Sequence, residues 1–230
     1  MPINPDAPTD KPETEQMVVI HRTLRREFRN LPSLVAAVRP ADTARARVVG
    51  DHLALVLAML HEHHEAEDMF LWPVLMERVP LEKDLIGLME TQHQAIADAV
   101  AAIGSGLPAW TAQADATARD RIADALRRLD EALTVHLDLE ESRVLPLMHE
   151  HLTVPEWLVP QKHAMKNGPK TLAGKLNLAG MVLEDATPRQ RAWFLGEMPA
   201  PARVLWRLVG ARRYLTYART VRAAEAAATG

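Results

Sequence analysis

The chain contains no cysteine, and this absence removes several kinds of chemistry at once. Without thiols there can be no disulfide, no thiolate metal site, no covalent haem attachment and no cysteine nucleophile. A metal ion bound here must therefore use nitrogen and oxygen ligands, for which the sequence offers ten histidines and 30 acidic residues.

Aromatic residues and long apolar runs are also scarce. Only three Phe and two Tyr occur among 230 residues, whereas Ala and Leu dominate, and this composition favours helices over β-structure. The longest apolar run, residues 53–60, is too short to cross a bilayer, and the N-terminal residues lack an apolar signal core. We expect a soluble, cytoplasmic protein with no transmembrane segment.

The formal net charge is only −3, but the charged residues are unevenly spread. Residues 1–154 carry 15 basic and 25 acidic side chains, whereas residues 155–230 carry 12 and 5. Such asymmetry indicates two parts with different neighbours, and the simplest interpretation is that the parts face each other. The alternatives are a basic C-terminal helix that docks a protein partner, or one that binds an anionic membrane or nucleic acid, although no nucleic-acid motif supports the last.

Prolines and glycines divide the chain into three segments. Residues 1–12 hold four prolines and few apolar side chains, which predicts a disordered N-terminal arm. Residues 13–150 form the predicted helical domain, and residues 151–230 form a basic helical extension that packs on it. Pro32 and Pro40 bracket the first connection, and Gly104, Gly106 and Pro108 are expected to end the third helix. Helices are predicted over residues 13–30, 42–71, 82–103 and 114–145, then over 171–183, 189–197 and about 199–228.

An internal repeat links the first four predicted helices in pairs. In the second and fourth helices, apolar residues, a histidine and a glutamate follow one another at spacings of 3, 4, 3 and 4. In the first and third, a histidine lies within an apolar series spaced 4, 3, 4 and 3. The four series are Leu53, Val56, Leu60, His63 and Glu67; Leu126, Leu129, Leu133, His136 and Glu140; Met17, His21, Leu24, Phe28 and Leu31; and Met89, His93, Ile96, Val100 and Ile103.

These spacings place each series on a single helix face, the face that has to be buried. The same helical hairpin thus occurs twice in the chain. We predict an all-α fold, an antiparallel four-helix bundle with a C-terminal helical extension. Each of its four helices would deliver one histidine to the interior, and two would also deliver a glutamate.

The buried glutamates indicate a metal site. Desolvating an unpaired carboxylate is costly, yet Glu67 and Glu140 continue the apolar faces of their helices. Imidazole and carboxylate ligands together suit iron, manganese or zinc. His-x-x-x-Glu chelates from one helix face, two glutamates can bridge two ions, and His21 and His93 complete the set. A lone histidine on an apolar face is more often a hydrogen-bonded core residue, but the matched repeat argues against that interpretation.

The register within the second helix has competing candidates, because the stretch HEHHEAED also pairs His61 with Glu65 and His64 with Asp68. Only His63 and Glu67 continue the repeat. We expect Asp68 to be solvated or hydrogen-bonded beside the ligands, like Glu65 and Glu141. His64 is interpreted as a surface or rim residue, with a supplementary ligand or a proton shuttle next to the metal as alternatives.

These residues resemble the hemerythrin-like, or HHE cation-binding, domain family over residues 13–150. The resemblance is carried by His21, by HHEAEDMFLWP at 63–73, by His93 and by HLDLEESRVLP at 136–146. It implies a non-haem di-iron centre in a four-helix bundle. His21 and His63 would serve one iron and His93 and His136 the other, and the two glutamates of the repeat would bridge them; zinc or manganese remain alternative metals.

Two departures bear on activity. The oxygen-carrying hemerythrins have a further histidine one turn after the third-helix ligand, where this chain has Ala97, and their last carboxylate is an aspartate after four intervening residues rather than Glu140 after three. The missing histidine opens a coordination position beside His93 and His136. We therefore expect a protein that binds or reacts with peroxide, O2 or nitric oxide, with a catalase-like or oxidoreductase activity. The alternatives are an iron, oxygen or redox sensor without turnover, whose C-terminal helices are the output, and a non-redox zinc site.

Overall fold

The computed structural model describes residues 3–4 and 9–223, and every regular element in that part of the chain is helical. The predicted all-α class is confirmed. The expected end of the last helix near Ala228 lies outside the described residues, as do residues 1–2 and 5–8 of the predicted N-terminal arm. Of the described arm residues, Ile3 is buried against Val19 and Trp193, and the Lys11 ammonium lies 3.3 Å from a carboxylate oxygen of Glu150.

Four long helices surround the main core. Helix α1 packs on α2 and α5, and α4 packs on the same two helices from the other side. Two of the long helices are followed by short helical segments that have a proline in their first turn. The elements are α1 (Glu15–Ala36), α2 (Thr43–Phe70), α3 (Trp72–Arg78), the 3-10 turn Pro80–Glu82, α4 (Lys83–Gln113), α5 (Ala116–Leu139), the π-helical segment Glu140–Val144 and α6 (Leu145–His151).

The repeated apolar series forms the core of these helices, as the spacing predicts. Leu53 and Leu60 of α2 and Leu126 and Leu133 of α5 are all buried. Burying one such side chain contributes roughly 1.5–3 kcal/mol relative to exposure. The repeat therefore fixes which face of each long helix points inward, and with it the direction of the histidines and glutamates that continue the same face.

Two predicted helix ends are wrong, because burial outweighs the local breakers. Helix α1 runs through Pro32 to Ala36, and α4 runs through Pro108 to Gln113. A glycine in a helix costs only about 1 kcal/mol relative to alanine, whereas Leu107 and Trp110 bury large side chains beyond the glycines. Helix α4 ends instead where Ala114 adopts a left-handed conformation, with φ of 49°.

The predicted helix over 114–145 is also interrupted. After Leu139 the chain widens into a π-helical segment, in which the Leu145 N–H donates to the Glu140 carbonyl five residues earlier. Pro146 lacks an N–H, and its ring crowds the carbonyl four residues before it, so an ordinary helix is disfavoured here. The wider turn begins at the glutamate of the repeat, and π-helical segments of this kind are frequent at functional sites.

The C-terminal helices cover one side of the long helices. One of them, α7, packs on α2 and was not predicted, because Pro155 and Pro160 lie within it. Leu176, Trp206 and Tyr214 belong to the same apolar cluster as the inward residues of the long helices. The elements are α7 (Val154–Asn167), α8 (Leu172–Glu184), α9 (Pro188–Glu197), α10 (Ala200–Leu205), the π-helical segment Trp206–Gly210 and α11 (Ala211–Arg222).

A polar network joins these C-terminal helices to the long ones. Glu27 of α1 is buried and accepts a 2.6 Å hydrogen bond from Arg26. His52 of α2 lies 3.2 Å from Glu27 through Nε2, and its Nδ1 lies 2.8 Å from the hydroxyl of Tyr217 in α11. Burial raises the pKa of Glu27, but hydrogen bonds from His52 and Arg26 outweigh burial and leave the pKa lowered. Arg222 of α11 adds a second cation 3.6 Å from the same carboxylate.

Among the helices that the structure describes, none combines the length and the apolar composition that crossing a membrane requires.

The contact between α8 and α11 depends on a glycine. A β-carbon on Gly180 would lie 2.0 Å from Cγ of Tyr214, whereas one on Gly87 in α4 would meet nothing within 4 Å. We predict that Gly180→Ala lowers the free energy of unfolding by about 1–3 kcal/mol, because the Tyr214 ring must shift. Gly87→Ala should raise it by about 0.5–1 kcal/mol through helix propensity. Urea unfolding of both variants measures the difference, and equal effects would contradict the described packing.

Candidate metal centre

The structure brings the six predicted ligands together in the interior of the four long helices. His21 comes from α1, His63 and Glu67 from α2, His93 from α4 and His136 from α5. Glu140 is the first residue of the π-helical segment. Five of the six are buried, and the His63 side chain is 9% exposed.

The four imidazoles form two pairs. The Nε2 atoms of His21 and His63 lie 3.1 Å apart, and those of His93 and His136 also lie 3.1 Å apart. Metal–nitrogen bonds are about 2.1 Å long, so two nitrogens bound at right angles to one ion lie about 3 Å apart. Each pair is therefore spaced as two neighbouring ligands of one metal ion are.

The two glutamates lie between the pairs. Glu67 faces both, with Oε1 3.5 Å from Nε2 of His63 and Oε2 3.6 Å from Nε2 of His93. The Oε2 atom of Glu140 lies 3.4 Å from Nε2 of His21 and 3.7 Å from Nε2 of His136. Each carboxylate thus contacts one histidine of each pair, which is the arrangement that lets a carboxylate bridge two ions.

Outer hydrogen bonds orient three of the imidazoles. Nδ1 of His21 lies 3.0 Å from Glu141, Nδ1 of His93 lies 2.6 Å from Asp68, and Nδ1 of His136 lies 3.0 Å from the Gln92 amide oxygen. An oxygen acceptor at Nδ1 keeps the proton there and leaves the Nε2 lone pair directed inward, as in most metal-binding histidines. The sequence left open whether Asp68 and Glu141 are solvated or hydrogen-bonded beside the candidate ligands. In the structure both are hydrogen-bonded to a histidine.

The buried carboxylates have no hydrogen-bond donor among the described residues. This holds for both oxygens of Glu67 and of Glu140, although buried polar atoms in proteins are nearly always paired. Burial raises the pKa of Glu67 well above its usual value, and the nearby carboxylates of Glu140 and Asp68 raise it further. Burial also raises the pKa of Glu140. A bound cation would supply the missing partner to all four oxygens.

Two of the imidazoles are held in the neutral state that metal binding requires. Burial lowers the pKa of His63 well below its usual value, and the other imidazoles of the site lower it further. Burial, His93 and His21 likewise lower the pKa of His136 to about 3. Neutral imidazoles with free inward lone pairs are metal ligands, so the residues present fit a pair of ions such as iron, manganese or zinc.

The comparison with known protein families agrees with this geometry. A model described as the hemerythrin HHE cation binding domain matches residues 13–150. The chain belongs to this family. The match covers the predicted domain and contains all six residues described above. No curated protein and no solved structure matches the chain.

One histidine of this hemerythrin-family chain lies elsewhere than expected. The sequence favoured a surface or rim position for His64, but the side chain is buried, so that interpretation is wrong. Its ring stacks on His93 with centroids 4.0 Å apart, and its centroid lies 5.0 Å from that of His136. His64 follows His63 directly, and a helix turns by about 100° per residue, so sequence spacing alone assigned it to another face.

A cleft of about 360 Å³ leads to this side of the metal centre. His64 and His93 line its inner part, and Ala97 lies where the oxygen-carrying members of the family have a further histidine. Asp68 and the exposed His61 are also in its wall. The cleft offers a small molecule a route between α2 and α4 toward the buried imidazoles.

A third group of candidate ligands, Glu62, Glu65 and His163, lies between α2 and α7. The Nε2 atom of His163 lies 2.7 Å from the Asn167 side-chain amide and 3.7 Å from Glu65. All three ligand residues are partly exposed, and solvent therefore competes with any ion there.

Replacing a central carboxylate should affect the metal-free and metal-loaded protein in opposite directions. We predict that Glu67→Gln weakens metal binding at least about tenfold, while the metal-free variant is more stable than the unsubstituted chain. The unfolded chain ionises this carboxyl above pH of about 4.3, whereas the folded chain, with its raised pKa, resists ionisation. The gain should therefore grow as the pH rises from there. Isothermal titration and urea unfolding measure the two effects, with the exposed Glu131→Gln as control; equal metal affinities in both variants would contradict this site.

The outer hydrogen bonds can be tested separately. Asp68→Asn keeps the size of the side chain but weakens the acceptor at Nδ1 of His93, and we predict a loss of metal affinity of about 10–100-fold. Asp98→Asn, on the exposed side of α4, is the matched control and should bind metal normally. A metal titration in which the two variants behave alike would show that Asp68 does not orient His93.

Proposed function

We propose that this chain is a non-haem di-iron protein whose domain is an antiparallel four-helix bundle made of two helical hairpins. The mutual packing of α1, α2, α4 and α5 supports this arrangement. The proposed ligands of the two ions are the six residues of the repeat: His21, His63, Glu67, His93, His136 and Glu140.

The proposal rests chiefly on the position of the two glutamates between two imidazole pairs. His21 and His63 would hold one ion and His93 and His136 the other. Glu67 and Glu140 would bridge them, because each carboxylate lies within 3.4–3.7 Å of one histidine from each pair. The donor set suits zinc and manganese as well, and the choice of iron is supported by the resemblance to hemerythrin-like domains.

A pair of iron ions held in this way would bind O2, peroxide or nitric oxide at a free coordination position and exchange electrons with it. The residues that line the cleft control what reaches the metal centre from the side of His93. Leu60, Ile96 and Val100 give the cleft an apolar wall, which favours small, weakly polar molecules. Asp68 holds the imidazole of His93 in place from the same side.

An enzymatic role is tested with iron-loaded protein and added hydrogen peroxide. We predict that peroxide is consumed faster than by the same concentration of free iron, and that Glu140→Gln abolishes the excess because it removes a bridging ligand. Glu131→Gln should retain it. If peroxide consumption by the loaded protein does not exceed that of free iron, the catalase-like version of the proposal is wrong.

A second candidate function is a sensor without turnover, in which the C-terminal helices carry the output. The polar network from Glu27 and His52 to Tyr217 favours it, because it links the two helices α1 and α2, which supply three ligands, to α11. Metal binding contributes to folding free energy when the ligands are buried. Removing the metal should therefore loosen α8 and α11.

Amide hydrogen exchange before and after chelation tests the sensor. We predict that exchange in residues 172–222 becomes at least about tenfold faster in the metal-free protein, since local opening free energies fall when a neighbouring core loosens. Unchanged exchange in these helices would remove the support for an output role.

A protein partner at the basic C-terminal helix and a cytoplasmic location both stay predictions.

A further inference from the structure

The two imidazole pairs of the metal centre have different surroundings. Beside His21 and His63 lie Glu141 and Arg25, which are hydrogen-bonded to each other. Beside the other pair lies a further imidazole, that of His64, reached through the cleft that Ala97 lines. The side chain at 97 is a methyl group and offers no ligand, whereas His64 offers one from the facing helix.

His64 is grouped with the second pair by distance. The ligand nitrogens of His64, His93 and His136 all lie within 4.8 Å of one another, and all three side chains are buried. The ring borders the cleft, and a rotation of the side chain would direct its nitrogen toward a shared ion.

Stacking on His93 explains only part of how the His64 side chain is placed. It explains where the ring face lies, but Nε2 of His64 is buried and has no hydrogen-bond partner among the described residues. An unpaired buried polar atom destabilises the folded state, so a missing partner is indicated. The carboxylate oxygens of Glu67 and Glu140 also lack a partner, and the proposed ions would supply one to them.

We propose that His64 is a third imidazole ligand of the ion at His93 and His136, in the place that Ala97 cannot fill. This inference rests on the proposed two-metal site. It also changes the expectation drawn from the sequence. With three nitrogens on this ion and two on its neighbour, the free coordination position lies on the ion held by His21 and His63.

The test compares two histidines of the same helix and the same cleft. Full-length protein is loaded with Co(II), whose bound imidazoles give paramagnetically shifted N–H proton signals. We predict that His64→Ala loses one such signal and that its more weakly bound ion dissociates at least about tenfold more readily. Substitutions of residues that only hydrogen-bond to ligands already reduce metal affinity by about this factor. His61→Ala, which removes the exposed histidine of the cleft, should lose no signal and keep its affinity for both ions.

Two further measurements guard against a purely structural effect. His64→Gln preserves side-chain bulk, and it should keep the helical circular dichroism of the unsubstituted chain while losing the same signal. Added imidazole should restore the affinity of His64→Ala, because a free ring can occupy the space. If both His64 variants keep every shifted signal and bind two ions as tightly as His61→Ala, the inference is overturned. An unsubstituted chain that binds fewer than two ions would instead contradict the two-metal site itself.

Discussion

The structure depends on two carboxylates buried at the centre of four helices with no hydrogen-bond donor among the described residues. Glu67 and Glu140 continue apolar helix faces, and burial raises the pKa of both. Such groups destabilise a core unless a cation neutralises them. Burial lowers the pKa of His63 and His136, so these two imidazoles are neutral and offer lone pairs to a cation rather than positive charge. The electrostatics of the core therefore favour a bound cation, and membership of a cation-binding family agrees with this.

The repeat places the six candidate ligands in a nearly symmetric arrangement. The residues that surround them differ between the two halves. Each hairpin supplies two histidines and one glutamate in equivalent positions. Around them the two halves differ: Glu141 holds His21, whereas Gln92 and Asp68 hold His136 and His93. The wider helical turn at Glu140–Val144 occurs in only one hairpin. If two ions bind as proposed, these unequal environments would let protein groups saturate one ion and leave a free position on the other.

Periodicity predicted the fold class and the convergence of the six residues, because both depend on which helix face is buried. It failed where a single residue is set by tertiary packing. The sequence ended α4 at glycines and a proline, although the spacing of Ile103, Leu107 and Trp110 continues the inward face and was the available signal. Nothing in the spacing could place Gln92 against His136, or turn His64 inward, since both depend on how far apart α2, α4 and α5 lie. Local rules therefore predicted the six candidate ligands, and inter-helix geometry determines the residues that surround them.

The most direct measurement of this account is a crystal structure of the metal-loaded protein with data collected at the iron absorption edge. We expect two anomalous peaks per chain, about 3.5 Å apart as in other two-metal sites. The carboxylates of Glu67 and Glu140 should each contact both metal ions. A single peak, or none, between these carboxylates, or carboxylates turned away to solvent or to a donor of the protein, would contradict the claim that cations stabilise this core.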